Sequence, residues 1–145
     1  KDLYDYLENL IQERIARLKK ELYDIIISRD AESKSSAGDK YETGRAMMQI
    51  AQQQLETQLM QQNNLLAQLK QFQNALIKQQ VSAGSLIFSN HEVIYLSIGL
   101  GKINSPMGDY LVISIGSPLG RLFLDKTVGD QINFNKRIYT IESIC

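Results

Sequence analysis

Two long segments with a heptad rhythm of apolar residues, separated by one short polar break, constrain the fold of this chain most strongly. The first segment, from Leu3 to Arg29, contains no Gly or Pro. In both segments the apolar residues recur at alternating spacings of four and three, which is typical of coiled-coil helices. The predicted seam positions are Ile11, Ile15, Leu18, Leu22 and Ile25 in the first segment, and Met48, Ala51, Leu55, Gln58, Gln62, Leu65, Leu69, Phe72 and Leu76 in the second. The pattern therefore predicts two helices that share one seam.

The break between these helices spans residues 33–38 and reads Ser-Lys-Ser-Ser-Ala-Gly. Small polar residues of this kind suit a tight reversal, so the helices are predicted to run antiparallel as a hairpin. A first helix of about 30 residues would extend roughly 45 Å. In the middle of the seam, Gln58 and Gln62 are expected to cost stability while a polar layer there fixes the register of the two helices.

After Gln80 the apolar period shortens to about two, and Val, Ile, Tyr and Gly become frequent. This change predicts a domain boundary near residues 81–84. The predicted strands span residues 85–89, 93–99, 110–115, 131–135 and 137–143, with a hairpin turn at Asn135 and Lys136. Between the third and fourth strands, Ser117 and Pro118 predict the N-cap and the first residue of a short helix.

Together these elements predict an α+β fold with two parts. An antiparallel coiled-coil hairpin occupies residues 1–80, with its tip near residues 38–42, and a small antiparallel β domain with one short helix occupies residues 81–145. A domain of about 60 residues buries only about 60% of its unfolded surface. The base of the hairpin is therefore expected to support the β domain.

Composition excludes several classes of function. The 145 residues include 16 basic and 16 acidic side chains, so no net charge draws the protein to nucleic acid or to a membrane, and contact with RNA or DNA is expected to be indirect. The single cysteine, Cys145, excludes an intramolecular disulfide. No apolar run approaches the roughly 20 residues that cross a bilayer, so we expect a cytoplasmic protein. The chain opens at Lys1 rather than Met, which leaves open whether an earlier segment was removed.

Two acids, Asp39 and Glu42, follow the predicted reversal directly. One interpretation is a capping box, in which Asp39 caps the second helix and Glu42 reaches back to the cap amide. The other is a carboxylate pair at the apex of a rigid hairpin, which can be carried into a site that the β domain does not reach. Basic residues near the apex, Lys34, Lys40 and Arg45, are candidates for contact with RNA or with a channel wall, or are simply solvated.

Two sequence segments resemble the Gre-type bacterial transcript cleavage factors. Residues 117–130 read Ser-Pro-Leu-Gly-Arg-Leu-Phe-Leu-Asp-Lys-Thr-Val-Gly-Asp, which is similar to the Ser-Pro-(Ile/Leu)-(Gly/Ala)-Arg-x-Leu-x-Gly-Lys-x-x-Gly-Asp segment of that family. Gly38, Asp39 and Glu42 match the family's Gly-Asp-x-x-Glu tip signature. The resemblance implies a divergent member of a family whose proteins combine a coiled-coil hairpin with an FKBP-like β domain.

The resemblance also implies a partner. In that family the β domain docks on the rim of the secondary channel of bacterial RNA polymerase, and the hairpin threads inward toward the active site. Carried over to this chain, the docking loop corresponds to Gly116, Ser117, Pro118 and Leu119. Contact with the RNA 3′ end and with DNA is then only indirect. We expect a monomer, and the sequence leaves open whether the isolated chain dimerises.

The role implied for Asp39 and Glu42 is catalytic. They would help hold a Mg²⁺ ion that the polymerase carboxylates also bind, and this ion would activate water to cleave backtracked RNA. On this account the protein is an accessory factor that activates the polymerase, and is not an enzyme by itself. No cofactor is expected to bind tightly to the protein alone.

The chain also departs from the family pattern, which keeps other functions open. After Glu42 the family continues Asn-Ala-Glu-Tyr, whereas residues 43–46 here read Thr-Gly-Arg-Ala, and Asp125 replaces the family's Gly. A regulator that enters the channel without promoting cleavage is therefore an alternative, as is a coiled-coil adaptor or homodimer unrelated to polymerase. Prolyl isomerisation is disfavoured because the predicted domain has no tryptophan and no dense aromatic pocket.

Overall fold

The computed structural model describes the backbone of residues 2–32 and 38–145, and the side chains of residues 2–31 and 43–145. Two long helices open the chain, α1 (Asp2–Glu32) and α2 (Gly38–Lys70). They are followed by β1 (Leu86–Ser89), β2 (Val93–Ser97), β3 (Gly101–Ser105), β4 (Gly108–Ser114), α3 (Pro118–Phe123), β5 (Gln131–Phe134) and β6 (Arg137–Ile144). The fold is α+β, with an N-terminal helical hairpin and a sheet with one short helix, as predicted.

The two long helices pack antiparallel. The Arg29 guanidinium, late in α1, donates a hydrogen bond of 2.9 Å to the Oε1 atom of Gln52, early in α2. Earlier in α1, Arg14 and Leu18 line one cleft together with Gln62, which lies later in α2. Later residues of one helix therefore face earlier residues of the other, as expected for an antiparallel hairpin.

The predicted seam of α2 needs two corrections. Gln58 is exposed, and Leu59 beside it is half-buried, so the apolar neighbour takes the inward position. Helix α2 ends at Lys70, so Phe72 and Leu76 lie beyond it, and Leu76 is 80% exposed. The predicted helix was too long because Phe72 and Leu76 continue the heptad spacing beyond Lys70, where the helix ends.

The sheet has the strand order β3-β4-β2-β1-β6-β5. It is antiparallel as predicted, apart from the parallel pair of β2 and β4, in which Val93 lies opposite Tyr110. Strand β3 was not predicted, because its sequence, Gly-Lys-Ile-Asn-Ser, contains only one apolar residue and so shows no alternation of apolar and polar residues. Since β3 takes the edge and turns back on β4, the chain reverses twice and β4 runs parallel to β2.

One apolar core joins α3 to the sheet. Its buried members are Val81, Ile87, Ile94, Leu96, Leu119, Phe123, Ile132, Tyr139 and Ile141. The rings of Phe123 and Tyr139 meet edge to face, with centroids 5.7 Å apart. Each such side chain stabilises the fold by about 1.5 to 3 kcal/mol when fully buried. The core therefore fixes the position of α3, and with it the Ser117–Pro118 loop.

Contacts divide the chain into two compact units, residues 7–66 and residues 1–6 with 67–145. The second unit thus includes the first turn of α1 and the segment after α2. Within it, the Tyr6 hydroxyl donates to the carbonyl of Asn104 at 3.4 Å. A Cβ placed on Gly84 would lie 2.7 Å from the Cβ of Ala75, so Gly84 permits the close approach of the connecting segment. The boundary predicted near residue 81 falls inside this unit.

Candidate functional site

The loop before α3 is held by hydrogen bonds of Ser117. Its Oγ accepts from the amide of Gly120 at 3.0 Å and donates to the carbonyl of Ser114 at 2.7 Å. Pro118 occupies the first turn of the helix, where its fixed φ suits the helix and its missing N–H costs no bond. The predicted cap and short helix are confirmed, and the loop is rigidly tied to the end of β4.

Gly120, the last residue of the Ser-Pro-Leu-Gly segment, is required by the close packing of α3 on the sheet. A Cβ at this position would lie 2.1 Å from the carbonyl oxygen of Ser114 and 3.1 Å from the Leu96 side chain. Only a glycine lets α3 approach β4 this closely without a shift of backbone. Much of the Ser-Pro-Leu-Gly segment is therefore explained by the packing of α3 on the sheet.

The four residues predicted to contact a partner differ in exposure. Gly116 and Pro118 are exposed, and Ser117 is partly buried. Leu119, in contrast, is only 6% exposed and belongs to the apolar core. A partner can therefore meet the backbone of Gly116, the edge of Ser117 and the ring of Pro118, whereas the side chain of Leu119 holds the loop in place from below.

The apex acids lie at the start of α2. The helix begins at Gly38, so Asp39 and Glu42 are both within its first turns, and residues three apart in a helix share one face. Their side chains, and that of Lys40, fall outside the described side chains, and Lys34 falls outside the described residues altogether. The capping box and the metal site therefore both stay predictions. Arg45, farther along α2, is exposed.

The described side chains offer no competing metal site. No group of three or more His, Cys, Asp or Glu residues within them is placed to hold a metal ion.

Asp125, where the chain departs from the family's Gly, has φ of +67°. This left-handed backbone conformation is the one that glycine adopts without cost, and Asp is among the few other residues that tolerate it. Asp125 also pairs its amide with the carbonyl of Val81 at 2.9 Å. Asp125 therefore takes, in the turn after α3, a backbone conformation that a glycine at this position would also adopt.

A charged cleft of the β domain was not predicted from the sequence. About 350 Å³ in volume, it is lined by residues of the β1–β2 turn, of β3 and of β4, among them His91, Glu92, Lys102 and Asp109. Glu92 pairs with Arg137 at 3.1 Å, and a ring nitrogen of His91 lies 3.1 Å from the carbonyl of Ile138. These contacts tie the β1–β2 turn to β6, which gives His91 a structural role.

Tyr95 is the one described group with a strongly shifted pKa. Burial raises the pKa of its phenol to about 12, the nearby Tyr4 adds to the rise, and the Ser97 hydroxyl opposes it. Tyr4 and Tyr95 line one cleft of the sheet unit together with Leu3 and Phe72. The phenol therefore keeps its proton to a higher pH in the folded protein than the phenol of an exposed tyrosine does.

Comparisons with known proteins do not assign the chain to a family. No protein-family model matches it, and no curated protein sequence matches it significantly. Within the part of the chain that the structure describes, neither long helix has an apolar stretch that could span a membrane.

Proposed function

We propose that the protein is an accessory factor of bacterial RNA polymerase that enters the secondary channel with its helical hairpin and stimulates cleavage of backtracked RNA. The observation that carries this proposal is the Gly38-Asp39-x-x-Glu42 sequence at the start of α2, directly after the reversal of the hairpin. The chain reverses at one end of a helical hairpin. A carboxylate pair at that end could enter a cavity of a partner protein.

A second observation supports the docking part of the proposal. The Ser117–Pro118 loop is capped, tied to β4 and partly exposed, so it offers a preformed surface. Preformed surfaces lose little conformational entropy on binding. In the proposed complex this loop contacts the polymerase rim, and Leu119 contributes by positioning the loop from within the core.

The chemistry of the proposal needs two carboxylates and little else from this chain. A Mg²⁺ ion shared with the polymerase would lower the pKa of a bound water and orient it toward an RNA phosphodiester. Asp39 and Glu42 would supply part of its oxygen ligands, from adjacent positions on one helix face. The rigid hairpin would hold both carboxylates in place, and the polymerase would supply the remaining ligands and the RNA.

A cleavage assay on stalled, backtracked RNA polymerase tests the proposal. The protein is expected to accelerate RNA cleavage, and Asp39→Asn is expected to reduce that acceleration at least about 10-fold, because Asn binds Mg²⁺ poorly. Asn is also a good helix cap, so thermal stability should stay nearly unchanged. Glu13→Gln, an exposed acid of α1, is the matched control and should keep full stimulation. Equal cleavage with the Asp39→Asn variant and the parent protein would remove the catalytic role.

One observation favours a second function, regulation of the channel without cleavage. The residues after Glu42 lack the further acid of the family, and exposed Arg45 places a positive charge one turn along α2. A cation there opposes binding of a second cation. If the protein binds polymerase and slows RNA synthesis without accelerating cleavage, this second function is correct.

A further inference from the structure

A cleft of about 460 Å³ opens in the sheet unit beside the first turn of α1. It is lined by residues 3–5 of α1, by most of residues 72–77, and by Gly84, Leu86, Tyr95 and Cys145 from the sheet and its flanks. All of these residues belong to one compact unit. Small-molecule sites have volumes of roughly 300 to 1,000 Å³, so the cleft has the size of such a site. The proposed function does not use it.

The floor of the cleft is apolar and largely aromatic. Leu3, Tyr4 and Tyr95 are 7%, 5% and 7% exposed, so only a small part of each side chain reaches the cleft. Phe72 is half-buried, and Ile77, at the edge of the cleft, is 77% exposed. An apolar group that enters the cleft therefore leaves water and contacts up to three aromatic rings, an arrangement typical of ligand sites.

The wall of the cleft is held in place at Gly84. This residue has φ of +93°, which favours glycine, and its amide donates to the carbonyl of Leu96 at 2.7 Å. A Cβ on Gly84 would lie 2.7 Å from the Cβ of Ala75 and 3.3 Å from the Phe72 ring. Residues 72–75 therefore pack directly against the chain before β1. A preformed wall of this kind reduces the entropy lost when a ligand binds.

The charge of the cleft has one sign. Among the described residues that line it, Asp5 is the only charged side chain, and none is Lys, Arg or His. The Asp5 carboxylate is exposed, and it has no ion-pair partner in the described part of the chain. The faces of aromatic rings also attract cations. A carboxylate next to aromatic rings therefore favours a cation over an anion.

We propose that this cleft binds a small organic amine, whose apolar body lies against the aromatic side chains while its ammonium group pairs with Asp5. The exposed side-chain amides of Gln73 and Asn74 line the same cleft and supply further acceptors for the N–H groups. The proposal is independent of the polymerase function, because the cleft contains neither the apex acids nor the Ser117–Pro118 loop.

The test is a titration of the full chain with 2-phenylethylamine, which is protonated at neutral pH, followed by the backbone amide resonances in NMR spectra. The neutral 2-phenylethanol and the anionic 3-phenylpropanoate carry the same ring and serve as comparison ligands. The amine is expected to bind with a Kd of about 1 mM, as suits a ligand of this size. The alcohol should bind about two- to fivefold more weakly, and the anion more weakly still. Equal affinity for amine and anion, or no binding of the amine, would overturn the proposal.

Variants locate the site. Asp5→Asn is expected to raise the Kd of the amine about two- to fivefold, the contribution of one exposed ion pair, and to leave that of the alcohol unchanged. The matched control is Asp2→Asn, an acid of the same helical turn that does not line the cleft. Unchanged amine affinity in Asp5→Asn would exclude the proposed pairing and with it the proposal.

A second pair of variants tests the apolar part of the cleft. Ile77→Ser is expected to raise the Kd of the amine and of the alcohol about twofold or more, because a methylene-sized loss of apolar contact is already worth that much. Leu76→Ser, at a neighbour that is 80% exposed and does not line the cleft, should change neither Kd. Equal effects of the two variants would place the bound ring elsewhere. The comparison of three ligands needs only the parent protein, so it decides the proposal even where a variant fails to fold.

Discussion

At the scale of single residues, burial of Tyr95 affects the pKa of its phenol and thereby the pH dependence of stability. The phenol is 7% exposed, and burial raises its pKa to about 12, whereas the unfolded chain has a tyrosine pKa of about 10. Below about pH 10 both states hold the proton, and the free energy of unfolding does not depend on this group. Between about pH 10 and 12 the unfolded state loses its proton first, so stability falls as pH rises.

We therefore predict that Tyr95→Phe flattens part of the loss of stability at alkaline pH. The free energy of unfolding, measured by denaturant titration between pH 9 and about 11.5, should fall more steeply for the parent protein than for the variant. Tyr23→Phe, at a side chain that is 63% exposed, is the matched control. Parallel pH profiles for the parent protein and Tyr95→Phe would show that the Tyr95 phenol titrates alike in both states.

At the scale of elements, the helical hairpin contains a buried glutamine, Gln62, whose side-chain oxygen lacks a hydrogen bond within the described part of the chain. The Oε1 atom of Gln62 is buried without a hydrogen-bond partner among the described residues. A buried acceptor left unpaired costs about 1 to 3 kcal/mol, and a polar seam residue also weakens a coiled coil. Gln62 therefore lowers the stability of the hairpin.

Gln62→Leu is predicted to raise the free energy of unfolding by about 1 kcal/mol, because an apolar side chain completes the seam. The matched control is Gln58→Leu, one turn earlier on the exposed side, which should change stability by less than about 0.5 kcal/mol. Both are measured by denaturant unfolding followed by helix signal. If Gln58→Leu is the stabilising change instead, the seam runs through Gln58 and the described register is wrong.

At the scale of the whole molecule, the proposed docking loop should affect association without affecting the fold. Pro118→Ala is predicted to lower affinity for RNA polymerase by about five- to tenfold, as expected for loss of one central contact. The cost to stability should stay below about 1 kcal/mol, since Pro118 is exposed. Pro106, the other proline of the chain, lies exposed in the β3–β4 turn, and Pro106→Ala should leave affinity unchanged. Full binding by Pro118→Ala in a pull-down would exclude this loop as the docking surface.

The sequence predicted those parts of the molecule in which local pattern and tertiary structure agree. Heptad spacing predicted both helices of the hairpin, and Ser117 with Pro118 predicted α3, because caps and periodicity are local properties. Strand β3 and its consequence, the parallel β2–β4 pair, were missed because an edge strand buries one side chain, Ile103, and shows no alternation. The inward position of Leu59 was missed because Gln58 fits the same spacing.

The candidate site was less predictable from the sequence than the fold. The proposed docking segment, residues 116–119, was selected by resemblance and stays a prediction. The sequence did not separate exposed Pro118 from buried Leu119, since burial depends on how α3 packs on the sheet. For Asp39 and Glu42 the spacing alone favours a capping box, and the metal role is added by the family resemblance. Only a measurement with metal and partner present distinguishes these two roles.

The membership of residues 1–6 in the sheet unit has a consequence for biosynthesis. Because the opening turn of α1 groups with strands that are synthesised much later, Leu3 and Tyr4 reach their buried positions only after those strands have been made. Closing so long an intervening stretch costs only a few tenths of a kcal/mol more than closing a moderately shorter one. Until then these two apolar side chains lack their folded contacts, and transiently exposed apolar surface of this kind favours aggregation of incompletely folded chains.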